Sequence, residues 1–115
     1  MDKIKELTQR ILDIREARDW KQFHNAKDLS LSLVLEAAEV MEHFQWKNQE
    51  EIEKYIITDK EHIGEELADV LYWVLLMSND LDINILEALE RKIVKIEEKY
   101  PVEKARGSHA KYNQL

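Results

Sequence analysis

The chain has 115 residues and a formal net charge of −7 at pH 7, and it contains no Cys, two Gly and one Pro. The lack of Cys excludes disulfides, zinc–thiolate sites and thiol catalysis, and the acidic balance argues against a nucleic-acid duplex as partner. Scarce Gly and Pro, abundant Leu, Ile, Glu, Lys and Ala, and no strand-like alternation predict an all-α protein with a single domain over residues 1–115.

The first predicted helix covers about residues 2–18, because apolar residues recur at helical spacing at Ile4, Leu7, Ile11 and Ile14. A loop is predicted over residues 19–28. Asp28 is expected to cap a second helix that continues to about Trp46. Residues 48–57 are predicted to form a short charged helix or an irregular connection.

A long helix is predicted to open at Thr58 and to end near residue 81, because Thr58 and Glu61 have the spacing of a capping box. Its apolar run over residues 70–78 is too short to span a membrane. The N-terminal segment is amphipathic and does not resemble a signal peptide. These features predict a soluble cytoplasmic protein without a membrane partner.

The last predicted helix starts at Asn84, which has Glu87 three residues later, and ends before Pro101. The following segment, residues 102–115, has little periodicity and is expected to be an irregular tail.

Two pairs of carboxylates interrupt the most apolar stretches of the chain. The members of each pair are three residues apart and therefore share a helix face. Each pair belongs to a narrow polar stripe with steps of four, three and four residues: Ser32, Glu36, Glu39 and His43 on the second helix, and His62, Glu66, Asp69 and Trp73 on the long helix. The stripes contain no Lys or Arg, so we expect them to face each other or a shared cavity. The alternative is that they are the solvated sides of two amphipathic helices.

Two such pairs brought together would form an all-oxygen site for a hard divalent cation, with Mg²⁺ the favoured ion. A redox di-iron or di-manganese bundle would need Glu-x-x-His motifs, and no Glu in this chain is followed by His at that spacing. A chain this small cannot easily cover two helices that are apolar almost all round. We therefore expect part of their surface to be buried against another copy, in a homo-oligomer.

The spacing Glu36-x-x-Glu39, 26 residues, Glu66-x-x-Asp69 resembles the signature of the all-α nucleoside triphosphate pyrophosphohydrolases of the MazG-like superfamily. Further segments resemble its dCTP pyrophosphatase branch in the same order along the chain: Asp19–His24, Leu31–Glu39, Phe44–Trp46, Glu65–Leu71, Lys99–Pro101 and Ala110–Leu115. The resemblance covers about residues 15–115.

This resemblance implies a four-helix MazG-like core assembled as a homodimer or a dimer of dimers. It also implies hydrolysis of a nucleoside triphosphate between the α and β phosphates, which gives a nucleoside monophosphate and pyrophosphate. The four carboxylates would hold Mg²⁺, and one of them would also orient or deprotonate the attacking water: Glu36, Glu39, Glu66 and Asp69.

The same resemblance implies nucleotide contacts for His24, Trp46 and Trp73, and a phosphate contact for Lys27. The substrate would be dCTP-like or a modified nucleotide, and the biological role would be cleaning of the nucleotide pool. One position departs from the branch, which often has Asn in the last helix four residues before the Tyr-Pro pair, where this chain has Ile96.

Two alternatives remain open at this level. The chain could be a non-catalytic helical dimerisation module, in which the buried polar stripes fix the register of two helices. Within the superfamily, it could instead act on dUTP or on phosphoribosyl-ATP.

Overall fold

The computed structural model of the protein describes residues 2–114, and of Tyr112 it describes the backbone alone. Over this range the chain is built of helices, turns and loops, which confirms the all-α prediction. The two ends of the predicted domain, Met1 and Leu115, lie outside the described residues. The chain divides into two compact units between Asp82 and Ile83.

The first unit contains four α-helices and a 3₁₀ turn at Lys21–Phe23: α1 (Lys3–Ala17), α2 (Ala26–Glu42), α3 (Gln49–Thr58) and α4 (Lys60–Asp80). Helix α4 contacts each of the other three, and its most extensive contact is with α2. This antiparallel pairing follows from the sequence, because α2 and α4 are the two helices that are apolar almost all round.

The N-terminus of α2 is capped by Asn25, so the prediction that Asp28 caps this helix is wrong. Asn25 has extended backbone angles, and its side-chain Oδ1 accepts from the backbone N–H of Asp28 at 2.8 Å. Asp28 instead lies in the first turn, where its charge favours the positive end of the helix dipole. Helix α2 also ends at Glu42, and turns follow where helix was predicted to continue to Trp46.

The predicted capping box at the start of α4 is wrong as well. Thr58 is the last residue of α3, and a single residue, Asp59, separates it from α4. The Thr58 hydroxyl donates to the Asp59 carboxylate at 2.9 Å. A capping box does form at the start of α3, between Asn48 and Glu51. The segment predicted as a short helix or an irregular connection is therefore a helix.

The apolar core of the first unit lies where α1, α2 and α4 meet, around Ile11, Leu29, Leu75 and Leu76. Leu29 and Leu76 are fully buried. Other apolar side chains of α2 are more than half exposed: Leu31, Val34, Leu35 and Met41. The unit therefore presents an apolar surface on α2 that its own core does not use.

The second unit consists of α5 (Ile85–Lys99), a short α6 (Val102–Ala105) and a 3₁₀ turn at Tyr112–Gln114. Asn84 caps α5 by accepting from the N–H of Glu87 at 3.2 Å, as predicted. Helix α6 lies within the segment that was expected to be irregular. Across residues 2–114, none of the helices combines the length and apolar character that crossing a membrane requires.

Candidate functional site

Four carboxylates from α2 and α4 meet in one cluster. Glu36, Glu39, Glu66 and Asp69 each offer a carboxylate oxygen, and these four atoms lie within 4.8 Å of one another. The i, i+3 spacing puts each pair on one helix face, and the packing of α2 against α4 brings the two faces together. The two polar stripes therefore face each other at their centres.

The carboxylates differ in exposure. Glu36 and Glu66 are partly buried, whereas Glu39 and Asp69 are exposed. One oxygen of each partly buried residue, Glu36 Oε2 and Glu66 Oε2, is shielded from solvent and has no hydrogen-bond partner among the described residues. A buried carboxylate oxygen without a partner is costly, so these two atoms indicate that the cluster is built for a positively charged ligand.

The local electrostatics disfavour a fully ionised cluster. Burial raises the pKa of Glu36, and a hydrogen bond with Glu39 and the negative charges around it raise this pKa further. A hydrogen bond with Glu39 is the largest cause that raises the pKa of Glu66, followed by burial and by repulsion from Glu39 and Asp69. Full ionisation of the cluster is therefore disfavoured without a cation, and a bound cation would favour it.

The donor set fits a hard divalent cation. All four groups are carboxylates, the ligand type that Mg²⁺ and Ca²⁺ prefer. Opposite ligands of an octahedral Mg²⁺ lie about 4.2 Å apart, only slightly less than the largest separation in the cluster. Small side-chain movements would therefore let the four residues share one ion.

A hydrogen-bonded group beside the cluster ties the end of α2 to α3. The His43 ring is hydrogen-bonded to the Tyr55 hydroxyl. Lys47 Nζ donates to the His43 carbonyl at 2.6 Å and lies 4.1 Å from the centre of the Tyr55 ring. His43, which the sequence placed on the α2 stripe, thus has a partner on α3 and anchors that helix beside Glu66.

Of the residues implied to contact the nucleotide, the structure brings His24 and Trp73 together. Their ring centres are 5.7 Å apart in an edge-to-face arrangement. Trp73 lies one turn beyond Asp69 on α4. His24 therefore reaches the helix that carries half of the carboxylate cluster.

Lys27 and Trp46 lie beyond opposite ends of this arrangement. Lys27 is in the first turn of α2, and Trp46, which is 86% exposed, lies in the turns after its last residue, Glu42. The helix between Lys27 and Glu42 is about 22 Å long. The two side chains accordingly mark separate regions on either side of the carboxylates.

An ion pair that the sequence did not reveal lies behind His24. The Arg15 guanidinium donates to both carboxylate oxygens of Asp80, at 2.7 and 2.8 Å, and its Nη1 lies 3.4 Å from His24 Nδ1. The hydrogen bond from Arg15 holds the pKa of Asp80 below its ordinary value. Burial lowers the pKa of His24, and the neighbouring Arg15 charge lowers it further.

A signal for Arg15 exists in the α1 pattern. Ile4 and Ile11 set a helical stripe whose next member is residue 15, four positions after Ile11. The apolar spacing alone instead favours Ile14, which is 40% exposed, whereas Arg15 is buried. A lone charged residue in the core register of an amphipathic helix thus indicates a buried ion pair.

The chain is similar to proteins of known family. Residues 31–115 match the sequence profile of the MazG-like family. Over 100 residues the chain is 37% identical to dCTP pyrophosphatase 1 of Mus musculus and 34% identical to that of Homo sapiens, and these matches cover 85% of the chain and 59% of each relative. The chain thus spans about three fifths of the length of the curated relatives it matches.

The fold is also shared with a solved structure. The crystal structure of a pyrophosphatase from Archaeoglobus fulgidus superposes with a TM-score of 0.83 at 35% identity, and the match covers 88% of this chain and 94% of that one. Together with the family profile, this likeness confirms the resemblance inferred from the paired carboxylates. The chain belongs to the MazG-like family.

Proposed function

We propose that the chain hydrolyses nucleoside triphosphates between the α and β phosphates and releases a nucleoside monophosphate and pyrophosphate, with Mg²⁺ as cofactor. The observation that carries this proposal is the carboxylate cluster, whose ligand oxygens lie within 4.8 Å of one another. The relatives named dCTP pyrophosphatase 1 and the pyrophosphatase from Archaeoglobus fulgidus support the same reaction.

Glu36, Glu39, Glu66 and Asp69 would hold the ion, and the two buried oxygens without partners support this assignment. When bound, Mg²⁺ supplies positive charge that offsets the phosphate charge and makes a coordinated water more acidic. The partly buried Glu36 and Glu66 would form the floor of the site. The exposed Glu39 and Asp69 would lie at its mouth, where the triphosphate approaches.

Glu39 is the best candidate for orienting and deprotonating the attacking water. It is exposed, so water can reach it, and its carboxylate lies close to those of Glu36 and Glu66. A proton accepted at Glu39 could therefore be shared with its neighbours during the reaction.

His24 and Trp73 would bind the nucleoside, because they form one contiguous aromatic surface a turn away from Asp69. Following the same resemblance, Trp46 would also contact the nucleotide, and Lys27 would meet a phosphate. We propose a dCTP-like or modified base as the substrate and pool cleaning as the role, following the branch that the chain resembles.

A homodimer, or a dimer of dimers, would cover the exposed apolar surface of α2. Leu31 and Leu35, which are four residues apart and share a helix face, are 52% and 65% exposed, and exposed apolar side chains that adjoin each other mark an interaction surface. Light scattering on the purified chain tests this proposal. A dimer that Leu35→Glu converts to a monomer would support it, and a wild-type chain that is monomeric at micromolar concentration would contradict it.

The reaction is tested with a panel of canonical and modified nucleoside triphosphates, in Mg²⁺, scored for monophosphate and pyrophosphate. Glu42→Gln serves as the control for Glu39→Gln, because it makes the same change on the same helix outside the cluster. Release of three separate phosphates, or no turnover of any member, would contradict the proposal.

The same panel separates the alternatives. Preferred turnover of dUTP or phosphoribosyl-ATP would reassign the substrate without changing the chemistry of the site. A chain that binds no Mg²⁺ and releases no pyrophosphate would instead be the non-catalytic helical dimerisation module.

A further inference from the structure

Arg15 is a buried cation at a position where α1 otherwise presents apolar side chains to the core. The residue is 4% exposed, and the Arg15 side chain is more deeply buried than that of Asp80, which is 20% exposed. A buried ion pair gives little net stability compared with apolar side chains of similar size. Stability alone therefore does not explain why this pair occupies the core position.

The guanidinium has a second neighbour that gives it another role. Arg15 Nη1 donates to Asp80 Oδ2 at 2.7 Å and lies 3.4 Å from His24 Nδ1, slightly farther than in an ordinary hydrogen bond. A guanidinium carries donors only, so the facing nitrogen of His24 must be the acceptor. In a neutral imidazole the proton then resides on Nε2.

We infer that Arg15, held by Asp80, is a positioning residue that keeps the proton of the neutral His24 ring on Nε2, so that the ring offers its ligand one uncharged hydrogen-bond donor. The part of this inference that concerns the ligand rests on the proposed function, in which His24 contacts the nucleotide.

The other groups around His24 are consistent with this arrangement. Trp73 on α4 packs its ring edge-to-face against the imidazole at 5.7 Å. Asp28 on α2 and Asp80 on α4 favour a charged imidazolium, whereas Arg15 on α1 and burial disfavour it and prevail. Both oxygens of Asp80 are already engaged by Arg15, so that carboxylate does not compete for His24.

The ring is accessible to a ligand. His24 lines a cavity of about 380 Å³ together with Lys21, Asn25, Asn79 and Asp80. That volume lies within the usual range of small-molecule sites.

A neutral donor discriminates between parts of a nucleotide. An imidazolium would attract phosphate through its charge, whereas a neutral Nε2–H gains only a hydrogen bond and suits an uncharged acceptor. The group to which His24 donates is therefore a carbonyl or ring nitrogen of the base, or a sugar oxygen. Phosphate recognition is left to other groups of the site.

The Arg15 donor can be removed without leaving a buried charge if Asp80 is replaced at the same time. Arg15→Met with Asp80→Leu replaces both charges by apolar side chains of similar volume, an exchange that buried pairs often tolerate. In this double variant His24 loses the group that faces Nδ1. The exposed Arg10→Met on the same helix is the matched control, because it removes one Arg without touching the pair.

The first measurement is the tautomeric state of His24 by ¹⁵N NMR at neutral pH, with the resonance assigned through His24→Gln. We expect wild type and Arg10→Met to show an unprotonated Nδ1 and a protonated Nε2. The double variant, which loses Arg15 and Asp80 together, should show a mixture of the two neutral tautomers. A wild-type His24 with its proton on Nδ1, or charged at neutral pH, would overturn the inference without bearing on turnover.

The second measurement is steady-state kinetics with the best nucleoside triphosphate of the panel. We expect the double variant to raise KM about tenfold, the effect of one ordinary hydrogen bond, and to change kcat by less than about threefold. The single variant Arg15→Lys keeps a donor and a positive charge beside Asp80, so it should raise KM less than the double variant does. An unchanged KM together with an altered tautomer would overturn the nucleotide contact. An inactive wild type would instead contradict the proposed function.

Discussion

Arg15 and Asp80, which are 65 positions apart in the chain, form a two-point ion pair that joins α1 to the last turn of α4. Because the Arg15 side chain is 5% exposed, removal of Asp80 leaves an unpaired charge in the core, whereas removal of Arg15 leaves a carboxylate that is 20% exposed. The pair therefore governs how the N-terminal helix is held against the helix that carries Glu66 and Asp69.

We predict that Asp80→Leu alone destabilises the protein by about 3 kcal/mol, because it leaves the buried Arg15 without its partner, whereas the double variant with Arg15→Met recovers most of that loss. Urea unfolding of the four proteins in the cycle measures both effects. Equal destabilisation by the single and double variants would contradict this prediction.

The same pair predicts an acid dependence of stability. Since the pKa of Asp80 is lowered in the folded state, its contribution is fully present above its ordinary value of 3.8 and is lost as the pH falls through the folded value. The free energy of unfolding of wild type should therefore approach that of Asp80→Leu, in which Arg15 is also unpaired, only below about pH 4. A difference that vanishes already near pH 6 would contradict this account.

The contribution of Glu36 to stability depends on pH in the opposite direction. Its pKa is raised above 4.5 in the folded protein, so the folded state bears a penalty at neutral pH that disappears as the pH falls towards 4.5. In EDTA, Glu36→Gln should therefore be more stable than wild type at pH 8, and the difference should shrink on acidification. Glu42→Gln controls for the loss of one charge from α2. A stabilisation that grows as the pH falls would be inconsistent with the raised pKa.

Glu39→Gln is expected to lower kcat by at least about a hundredfold, the size of a general-base contribution, while the metal-free protein stays equally or more stable. Pyrophosphate release and thermal unfolding in EDTA measure the two effects on the same preparation. A marked drop in Tm in EDTA would assign Glu39 a structural role instead.

Mg²⁺ should raise the stability of wild type, because binding to the folded state alone adds about 2.7 kcal/mol at a hundredfold excess over Kd. Thermal unfolding across a Mg²⁺ titration measures this shift, and Glu66→Gln should reduce it. The control Glu42→Gln should retain it. Equal shifts for wild type and Glu66→Gln would place the ion elsewhere.

Local sequence patterns predicted the parts of the molecule that local interactions decide. The three-residue spacing of Glu66 and Asp69 fixes their common face whatever surrounds α4. Asn84 caps α5 as expected, because its side chain needs only the N–H three residues ahead. The meeting of the two carboxylate pairs was foreseeable from the missing Lys and Arg on both stripes.

The misplaced caps and the missed ion pair have other causes. Thr58 and Asp28 have suitable neighbours for capping, yet Asp59 and Asn25 occupy the positions where the backbone leaves the helix. The sequence alone does not choose between two capping residues that lie within three positions of each other when both have suitable polar side chains. The Arg15 partner lies on another helix, so no local spacing identifies it.

The single residue between α3 and α4, Asp59, fixes the rotation of α4 about its axis relative to α3. Before this residue, Tyr55 on α3 is hydrogen-bonded to His43. After it, Glu66 on α4 lies in the carboxylate cluster with Glu36. Inserting one residue at this position would turn α4 by about 100° relative to α3 and swing Glu66 away from its partner. Insertions and deletions are therefore better accommodated over residues 43–48 than at Asp59, where this one residue determines the orientation of Glu66.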